Sequence, residues 1–325
     1  MFTFLLKRFY QAVIVMFVIS LVAFSIQDNL GDPLRELVGQ SVSESVRQEL
    51  RDKMGLNDPF LVKYSRFLQN AVQGDLGTSY FFKRPALEVI LDKLVATLEL
   101  VFAAALIIVV VSIPLGVYSA IRPRSFLTKL IMAVSSIGIS IPVFLTAIML
   151  MYLFSIQLGW LPAYGRGETY NLLGWESGFF TWDGIKHLIL PAVSLSSIML
   201  PLFIRLVRSE MLEQLSSEYV KFARAKGLDN NKVYYQHALK NTMLPVITVG
   251  GVQIGTMVAY TILTETVFHW PGTGFLFLEA INRVDTPLIT AYVLFVGLIF
   301  VVTNTLVDLL YGVINPTVNL TGKGA

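Results

Sequence analysis

The chain has 325 residues, of which 54% are hydrophobic and only 14% are charged. Soluble domains carry about 25% charged residues, so this composition excludes an ordinary soluble protein and predicts a membrane protein with several spans. The formal net charge of +3 is small, and the sequence has no cysteine, which excludes disulfides and thiol chemistry.

The first apolar segment covers residues 9–27 and follows Lys7 and Arg8. A cleaved signal peptide is the alternative, but the segment is longer than a signal core and no convincing cleavage site follows it. The two basic residues predict a cytoplasmic N-terminus. We therefore expect residues 1–27 to form that terminus and the first span.

Residues 28–92 form a more polar insert on the far side of the membrane. Ser41 and Glu44 have the spacing of a capping box, and Asp58-Pro59 starts a second helix. The insert either contacts a partner or forms a packed extracytoplasmic cap. Apolar residues recur at helical spacing in both helices: Val46, Leu50 and Met54, then Leu61, Tyr64, Leu68 and Val72.

Further apolar segments lie at about 94–121, 130–157, 187–206, 246–266 and 290–313. Lys and Arg concentrate in the short loops on one side, which predicts six spans with both termini, including the tail 315–325, in the cytoplasm. Pro142 is expected to kink the third span, and Gly251-x-x-x-Gly255 allows another helix to approach closely. The outer loop 158–186 carries aromatic residues that fit an interfacial belt: Trp160, Tyr164, Tyr170, Trp175 and Trp182.

A polar, basic stretch runs from Glu218 to Pro245 between two of these spans. Tyr219, Phe222 and Ala223 lie at positions i, i+3 and i+4, so one face of a helix can be apolar there. Gly227 is expected to end this helix in the left-handed conformation. Asp229 or Asn230 is expected to cap a second helix that ends before Pro245. Composition alone also fits an ordinary basic loop.

The sequence lacks the motifs of several kinds of site. It contains neither a G-x-x-x-x-G-K-[ST] phosphate loop nor an H-E-x-x-H zinc motif. His187, His237 and His269 lie on separate loops, so we expect them to be structural or interfacial and not metal ligands. Any energy source for this chain must therefore be another polypeptide or an ion gradient.

Polar residues inside the spans are costly and mark candidate functional positions. For each Ser or Thr, a hydrogen bond back to its own helix is the alternative. Glu99 and Glu265 are expected near the outer ends of their spans, where solvation is available. Seven of these polar residues form the candidate substrate path: Ser136, Ser140, Ser197, Gln253, Thr256, Glu265 and Asn304. The other polar residues in the spans are Glu99, Ser135, Ser194, Ser196, Thr264 and Thr303.

The run A-R-A-K-G-L from Ala223, followed by H-A-L-K-N and L-P, resembles the coupling loop of ATP-binding cassette (ABC) importer permeases of the oligopeptide and dipeptide family. Lys221 and Phe222 depart from the general importer pattern E-A-A-x-x-x-G in the way the peptide branch does. Other similar motifs are Gly31-Asp32-Pro33, Met54 to Pro59 with Tyr64, Gly74 to Tyr80, Pro271 to Gly274 with Ala280, Asp285-Thr286-Pro287, and Asn304, Asp308 and Tyr311. Asn315-Pro316-Thr317 departs from the family's D-P-R ending.

The resemblance implies an all-α type I ABC importer permease fold, with six membrane helices and an extracytoplasmic helical insert. It implies a transmembrane domain at 93–314 with a coupling loop at 207–245, in the first of two permease subunits of the bacterial cytoplasmic (inner) membrane. It also implies several partners: a second homologous permease as a heterodimer, two ATPase subunits, an extracytoplasmic peptide-binding protein and the lipid bilayer. ATP and Mg²⁺ would bind the ATPases, while this chain would hold no cofactor or metal and bind no nucleic acid.

The resemblance implies that a helix of the coupling loop seats in an ATPase groove and moves as a rigid body. One alternative keeps the family and changes the cargo to nickel chelates or other small solutes. Another is an ion-driven carrier using Glu99, Glu265 or Asp308, although no convincing repeat is present. The expected coupling residues are Glu218, Tyr219, Lys221, Phe222, Ala223, Arg224, Ala225, Lys226, Gly227, Leu228 and Asp229.

Overall fold

A computed structural model describes residues 2–29, 44–53, 55–172 and 175–314 of the chain. The predicted all-α class is confirmed. The α-helices are α1 (Phe2–Asn29), α2 (Glu44–Lys53), α3 (Phe60–Val72), α4 (Ala86–Ile121), α5 (Phe126–Ser140), α6 (Val143–Leu150), α7 (Trp182–Ser216), α8 (Glu218–Ala225), α9 (Leu239–Phe268), α10 (Thr273–Asn282) and α11 (Thr286–Ile314). Shorter elements are the π-helices Met151–Gln157 and Lys232–Ala238, the 3-10 helix Gly178–Phe180, and the antiparallel strands β1 (Tyr170–Leu172) and β2 (Trp175–Ser177).

The described residues divide into two compact units. One contains residues up to Thr97 together with 271–302, and the other contains 98–270 together with 303–314. Helices α4 and α11 each contribute to both units. The predicted boundaries at residues 28, 93 and 315 stay predictions.

Among the described residues, five helices are long and apolar enough to cross a membrane, which needs about 20 apolar residues. A sixth crossing results when the bent pair of α5 with Val143–Gln157 is counted as one span. The five candidates are Leu6–Gln27, Ala86–Ile121, Trp182–Ser216, Lys232–Phe268 and Thr286–Val307.

The bent pair of α5 with Val143–Gln157 turns by 110° at Pro142, far more than an ordinary proline kink. Proline has no N–H and disfavours helical geometry in the residue before it. Ile141 is extended, with φ −89° and ψ 122°, and Pro142 follows with φ −59° and ψ 142°. Two consecutive non-helical residues turn the chain before α6 begins. The expected break at Pro142 is confirmed.

Pro245 does not end the helix that precedes it, and that prediction is wrong. Pro245 lies inside α9, which continues to Phe268. A membrane helix tolerates the missing hydrogen bond because neighbouring groups and small local adjustments satisfy the freed carbonyl. Pro191 and Pro201 are likewise inside α7.

Glycines allow two close helix contacts in the second unit. A β-carbon on Gly251 of α9 would overlap Val307 of α11, so the predicted close approach of another helix is confirmed. A β-carbon on Gly116 of α4 would lie 2.6 Å from Cβ of Val207 in α7. These contacts hold α4, α7, α9 and α11 at short distances.

The insert contains the two predicted helices, α2 and α3, although Ser41 and Met54 lie outside the described residues. The Tyr64 hydroxyl lies 2.8 Å from Oγ of Ser20, and its ring packs near Phe24 of α1. The predicted apolar stripe of α3 is therefore only partly correct. Leu61 and Val72 are 76% and 88% exposed, while the rings of Phe60 and Phe67 pack against Phe24 beside Tyr64.

The topology is testable because the chain has no native cysteine. We expect a cysteine at Arg124 to react with an impermeant maleimide only from the cytoplasmic side, and one at Thr169 only from outside. Both positions are exposed. If both cysteines are labelled from the same side, the bent pair returns to the face that it entered, and the six-span prediction is wrong.

Candidate functional site

Helix α8 is a short helix with sharp ends. Ser217, with φ −69° and ψ 155°, breaks the chain between α7 and α8. At the other end Gly227 has φ +78°, and its N–H donates to the Arg224 carbonyl at 2.9 Å. The Leu228 N–H donates to the Ala223 carbonyl at 3.3 Å, which completes a glycine C-cap. The predicted left-handed Gly227 is confirmed.

The two faces of α8 differ in exposure. Val220 and Ala223 are 0% and 7% exposed, on the side where α8 contacts α7 and the π-helix Lys232–Ala238. Tyr219 and Phe222 are 38% and 60% exposed on the other side. Ala223 therefore packs within the chain and does not share the exposed apolar face that the spacing predicted. Val220, which the prediction omitted, is the second residue of the buried side.

Charged side chains surround the two exposed rings. Nζ of Lys226 lies 4.5 Å from the centre of the Phe222 ring, and Nζ of Lys221 lies 2.8 Å from Oε1 of Glu218. The Tyr219 hydroxyl donates to Oε1 of Gln214 at 2.8 Å. The other candidate coupling residues, Arg224, Ala225, Gly227, Leu228 and Asp229, are also exposed. An apolar pair with a charged rim has the character of a protein contact surface.

The segment after Gly227 turns back into a helix. Oδ2 of Asp229 accepts from the backbone N–H of Asn231 at 3.0 Å, so the predicted cap at this position is confirmed. The π-helix Lys232–Ala238 follows and leads into α9. π-helices are rare and frequently lie at functional sites.

The seven candidate path residues lie on four helices, α5, α7, α9 and α11. Ser136 and Ser140 are exposed on α5, Ser197 is half-buried on α7, and Asn304 is half-buried on α11. Oγ of Ser197 donates to the Ser194 carbonyl at 2.6 Å, and Ser140 Oγ to the Ser136 carbonyl at 3.4 Å. Backbone bonding, the alternative for such residues, thus occurs at both.

One cavity contains a candidate path residue. It has a volume of about 470 Å³ and is lined mainly by apolar side chains of α4, α7, α9 and α11. Gln253, Thr303 and Ser112 supply polar groups to its wall. Thr256 and Glu265 are not among the residues that line it.

The expected solvation of the two deep glutamates is wrong, because Glu99 is 4% exposed and Glu265 is fully buried. Oε2 of Glu99 accepts from Nε and Nη2 of Arg166 at 2.9 and 2.8 Å, and Oε1 accepts from the Gly178 N–H at 2.9 Å. This ion pair fastens the segment between Gln157 and α7 to α4. Arg166 lies 67 residues away in sequence, so no local pattern could indicate the pairing.

Two of the motifs that carried the resemblance meet in the other unit. Oδ2 of Asp285 accepts from Oγ of Ser79 at 2.5 Å, and the carboxylate accepts from the backbone N–H groups of Tyr80 and Phe81 at 3.1 and 3.2 Å. Burial raises the pKa of the Tyr80 phenol, and the nearby Asp285 carboxylate adds to that rise, while a hydrogen bond with Thr286 opposes it. The hydrogen bonds to Asp285 hold the Gly74–Tyr80 motif on the turn before α11.

Two protein-family models match this sequence. Residues 112–320 match the model of the family described as binding-protein-dependent transport system inner membrane component. Residues 1–101 match the model of the N-terminal part of such membrane components. Together the two matches cover nearly the whole chain.

Curated relatives match along almost their whole length. The chain is 37% identical to the dipeptide transport system permease protein DppB of Alkalihalophilus pseudofirmus and 36% identical to the oligopeptide transport system permease protein AppB of Bacillus subtilis. It is 32% identical to the glutathione transport system permease protein GsiC of Escherichia coli O6:H1. Each match covers 98% of this chain and 99% of the relative.

A solved structure shares the fold. The chain is similar to a chain in inward-facing structures of the MetNI methionine ABC transporter, with a TM-score of 0.56 at 14% identity. The match covers 70% of this chain and 97% of that one. It confirms the ABC importer permease fold that the motifs imply. By family match, by relatives and by fold, this chain belongs to the inner membrane components of binding-protein-dependent transport systems.

Proposed function

We propose that this permease carries di- and oligopeptides across the bacterial cytoplasmic membrane, driven by ATP hydrolysis on separate ATPase subunits. The observation that carries the proposal is the 36–37% identity, over 98% of the chain, to permeases named for dipeptide and oligopeptide transport. The sequence itself has no phosphate loop of the Walker type. ATP and Mg²⁺ would therefore be bound by the partner ATPases.

The proposed partners are a second homologous permease, two ATPase subunits and an extracytoplasmic peptide-binding protein. Helix α1 supports a lateral partner or lipid contact, because only 17% of its apolar window is buried within the chain. Both termini would lie in the cytoplasm, which would put α8 on the cytoplasmic side, within reach of an ATPase.

The proposed coupling surface is the exposed face of α8. Phe222 and Tyr219 would insert into a groove of the ATPase, because exposed aromatic side chains at the centre of an interface supply much of its binding energy. Lys221, Arg224 and Lys226 would lie at the rim. Val220 and Ala223 anchor α8 to the rest of the chain, so a movement of the groove would be transmitted to α7 and α9.

Two alternatives differ from this proposal, one in the cargo and the other in the energy source. A same-family importer for another small solute keeps the fold, and the glutathione permease relative shows that cargo varies among similar chains. An ion-driven carrier needs a carboxylate that can exchange protons or ions. Glu99, a deep acid proposed for this role, is already neutralised by Arg166 at 2.8 Å.

Uptake by cells that lack only this chain tests the proposal. We expect accumulation of labelled di- and tripeptides to fall at least tenfold, and to return when the chain is supplied again. Uptake of nickel in the presence of a chelator should not change. Undiminished peptide uptake together with lost nickel uptake would assign the cargo to the alternative class.

A further inference from the structure

Two arginines of α7, Arg205 and Arg208, lie against α5. Nη2 of Arg205 donates to Oγ of Ser136 at 2.7 Å, and Nη1 of Arg208 lies 3.1 Å from Sδ of Met132, one turn away on α5. Nε of Arg208 is buried and has no acceptor among the described residues. Within the part of the chain that the structure describes, neither guanidinium has an Asp or Glu oxygen within 4.0 Å.

This arrangement lies where α7 leaves the predicted span, since Arg205 is within residues 187–206 and Arg208 is beyond them. Helix α7 is a span candidate, and α5 is the first half of the bent pair. Long basic side chains near the end of a span extend to the membrane interface, where an anionic group can approach them. The sequence pattern placed Arg205 near the inner end of its span, at 187–206.

Arg205 is accessible, and the exposed residues of α5 and α7 near it in sequence include both serines and apolar side chains such as Ile137 and Leu202. Arg205, Ser136 and Ser140 are all exposed in this chain. Ser140 lies one turn beyond Ser136, and its hydroxyl donates to the Ser136 carbonyl. The two serines and the arginine supply hydrogen-bonding groups that a polar ligand can contact there.

We propose that Arg205, oriented by Ser136, binds the C-terminal carboxylate of the peptide cargo as the cargo passes the inner end of the spans. The inference rests on the proposed function, because it takes a peptide as the cargo. Every linear peptide with a free C-terminus carries this carboxylate whatever its side chains, and a guanidinium matches it with two parallel N–H bonds. Oγ of Ser136 accepts a hydrogen bond from Nη2 of Arg205 and so orients the planar guanidinium group.

Arg208 gives the site a second positive charge, three residues further along α7. Its contact is with the Met132 sulfur and not, among the described residues, with a carboxylate within 4.0 Å, so its charge is available to attract an anion between α5 and α7. The exposure of Arg205 keeps the contact weak. A conduit needs a contact that is favourable enough for entry and weak enough for release.

Photo-crosslinking in the assembled importer tests this assignment. We place p-benzoylphenylalanine at Ser140, supply the binding protein, ATP and a radiolabelled dipeptide, and irradiate during turnover. The expected result is a labelled band on this chain that falls at least tenfold with Arg205→Gln. The variant Arg205→Lys should show part of the band that Arg205→Gln loses, because lysine keeps the positive charge but cannot donate the two parallel hydrogen bonds of a guanidinium. Arg124→Gln, at an exposed arginine of the loop before α5, is the matched control and should leave the band unchanged.

Uptake kinetics on the same variants separate a cargo contact from a folding effect. We expect Arg205→Gln to lower the maximal uptake rate several-fold with little change in the peptide KM, which the binding protein sets, at an unchanged amount of assembled complex. A crosslink to lipid or to another subunit alone, or an equal peptide crosslink with Arg205→Gln, would overturn the inference. If the wild-type importer takes up peptide but the crosslink does not depend on Arg205, this inference alone is overturned. If the wild-type importer takes up no peptide, the proposed function is overturned and the inference with it.

Discussion

Replacing Glu99 with leucine is expected to cause the largest loss of stability among the substitutions considered. The buried carboxylate balances the Arg166 guanidinium, whose side chain is only 12% exposed, and accepts the Gly178 N–H. Removing one partner of a buried ion pair costs about 3–5 kcal/mol, because the other charge stays buried without compensation. We expect the apparent Tm of the purified complex to fall on the order of 10 °C, with a lower yield of folded protein.

Two further variants test the cause of that loss. The double variant Glu99→Leu with Arg166→Met removes both charges and should recover more than half of the lost Tm. Arg66→Gln is a control, since its pair with Asp58 has the same 2.7–2.8 Å length but is 51% and 37% exposed. Such an exposed pair contributes roughly 0–1 kcal/mol. A Glu99→Leu protein with the wild-type Tm would show that the ion pair does not hold the outer loop on α4.

Replacing Gly227 with valine is expected to abolish uptake while leaving the spans inserted. Gly227 has φ +78°, where a β-carbon costs about 1–2 kcal/mol and a β-branched side chain costs more. No atom lies within 4 Å of the position that the new β-carbon would occupy, so the effect is backbone strain and not a clash. The strain would tilt α8 and displace Phe222 from the proposed ATPase groove. Peptide uptake and co-purification of the ATPases, at matched membrane levels, measure this.

The chain offers a matched control for the same strain. Gly159 has φ +63° and also has open space around its β-carbon position, but it lies in the outer loop. Gly159→Val should therefore transport normally. Lys226→Ala should have a smaller effect than Gly227→Val, because an exposed charge contributes roughly 0–1 kcal/mol. Normal uptake and normal ATPase co-purification by Gly227→Val would reject the coupling role given to this stretch.

Local rules were sufficient for much of this protein. A bilayer needs about 20 apolar residues per helix, so the apolar segments predicted the positions of the spans. Only glycine enters the left-handed region cheaply, so Gly227 predicted the end of α8. Pro142 has no N–H, so its sequence position predicted a break. Each of these rules acts within a few residues and needs no partner from elsewhere in the chain.

Periodicity alone was less reliable for the faces of helices. It placed Ala223 with Phe222 on one apolar face of α8, but α7 and the π-helix Lys232–Ala238 cover the side that carries Ala223 and Val220. It also placed Leu61 on the apolar face of α3, where Phe60 and Phe67 pack instead. Spacing indicates that a helix has faces, and only the packing of neighbouring elements selects which face is buried.

The sequence by itself determined the membrane-spanning helical class, the position of the short helix that ends at Gly227 and the motifs of the family. The tertiary structure alone decided the 110° bend at Pro142, the pairing of Glu99 with Arg166, and the contact of Arg205 with Ser136. These last two contacts join residues 67 and 69 positions apart. Such pairings depend on how whole helices pack, because the energy of a buried or membrane-facing charge is set by the groups brought beside it in space, and no local pattern specifies those groups.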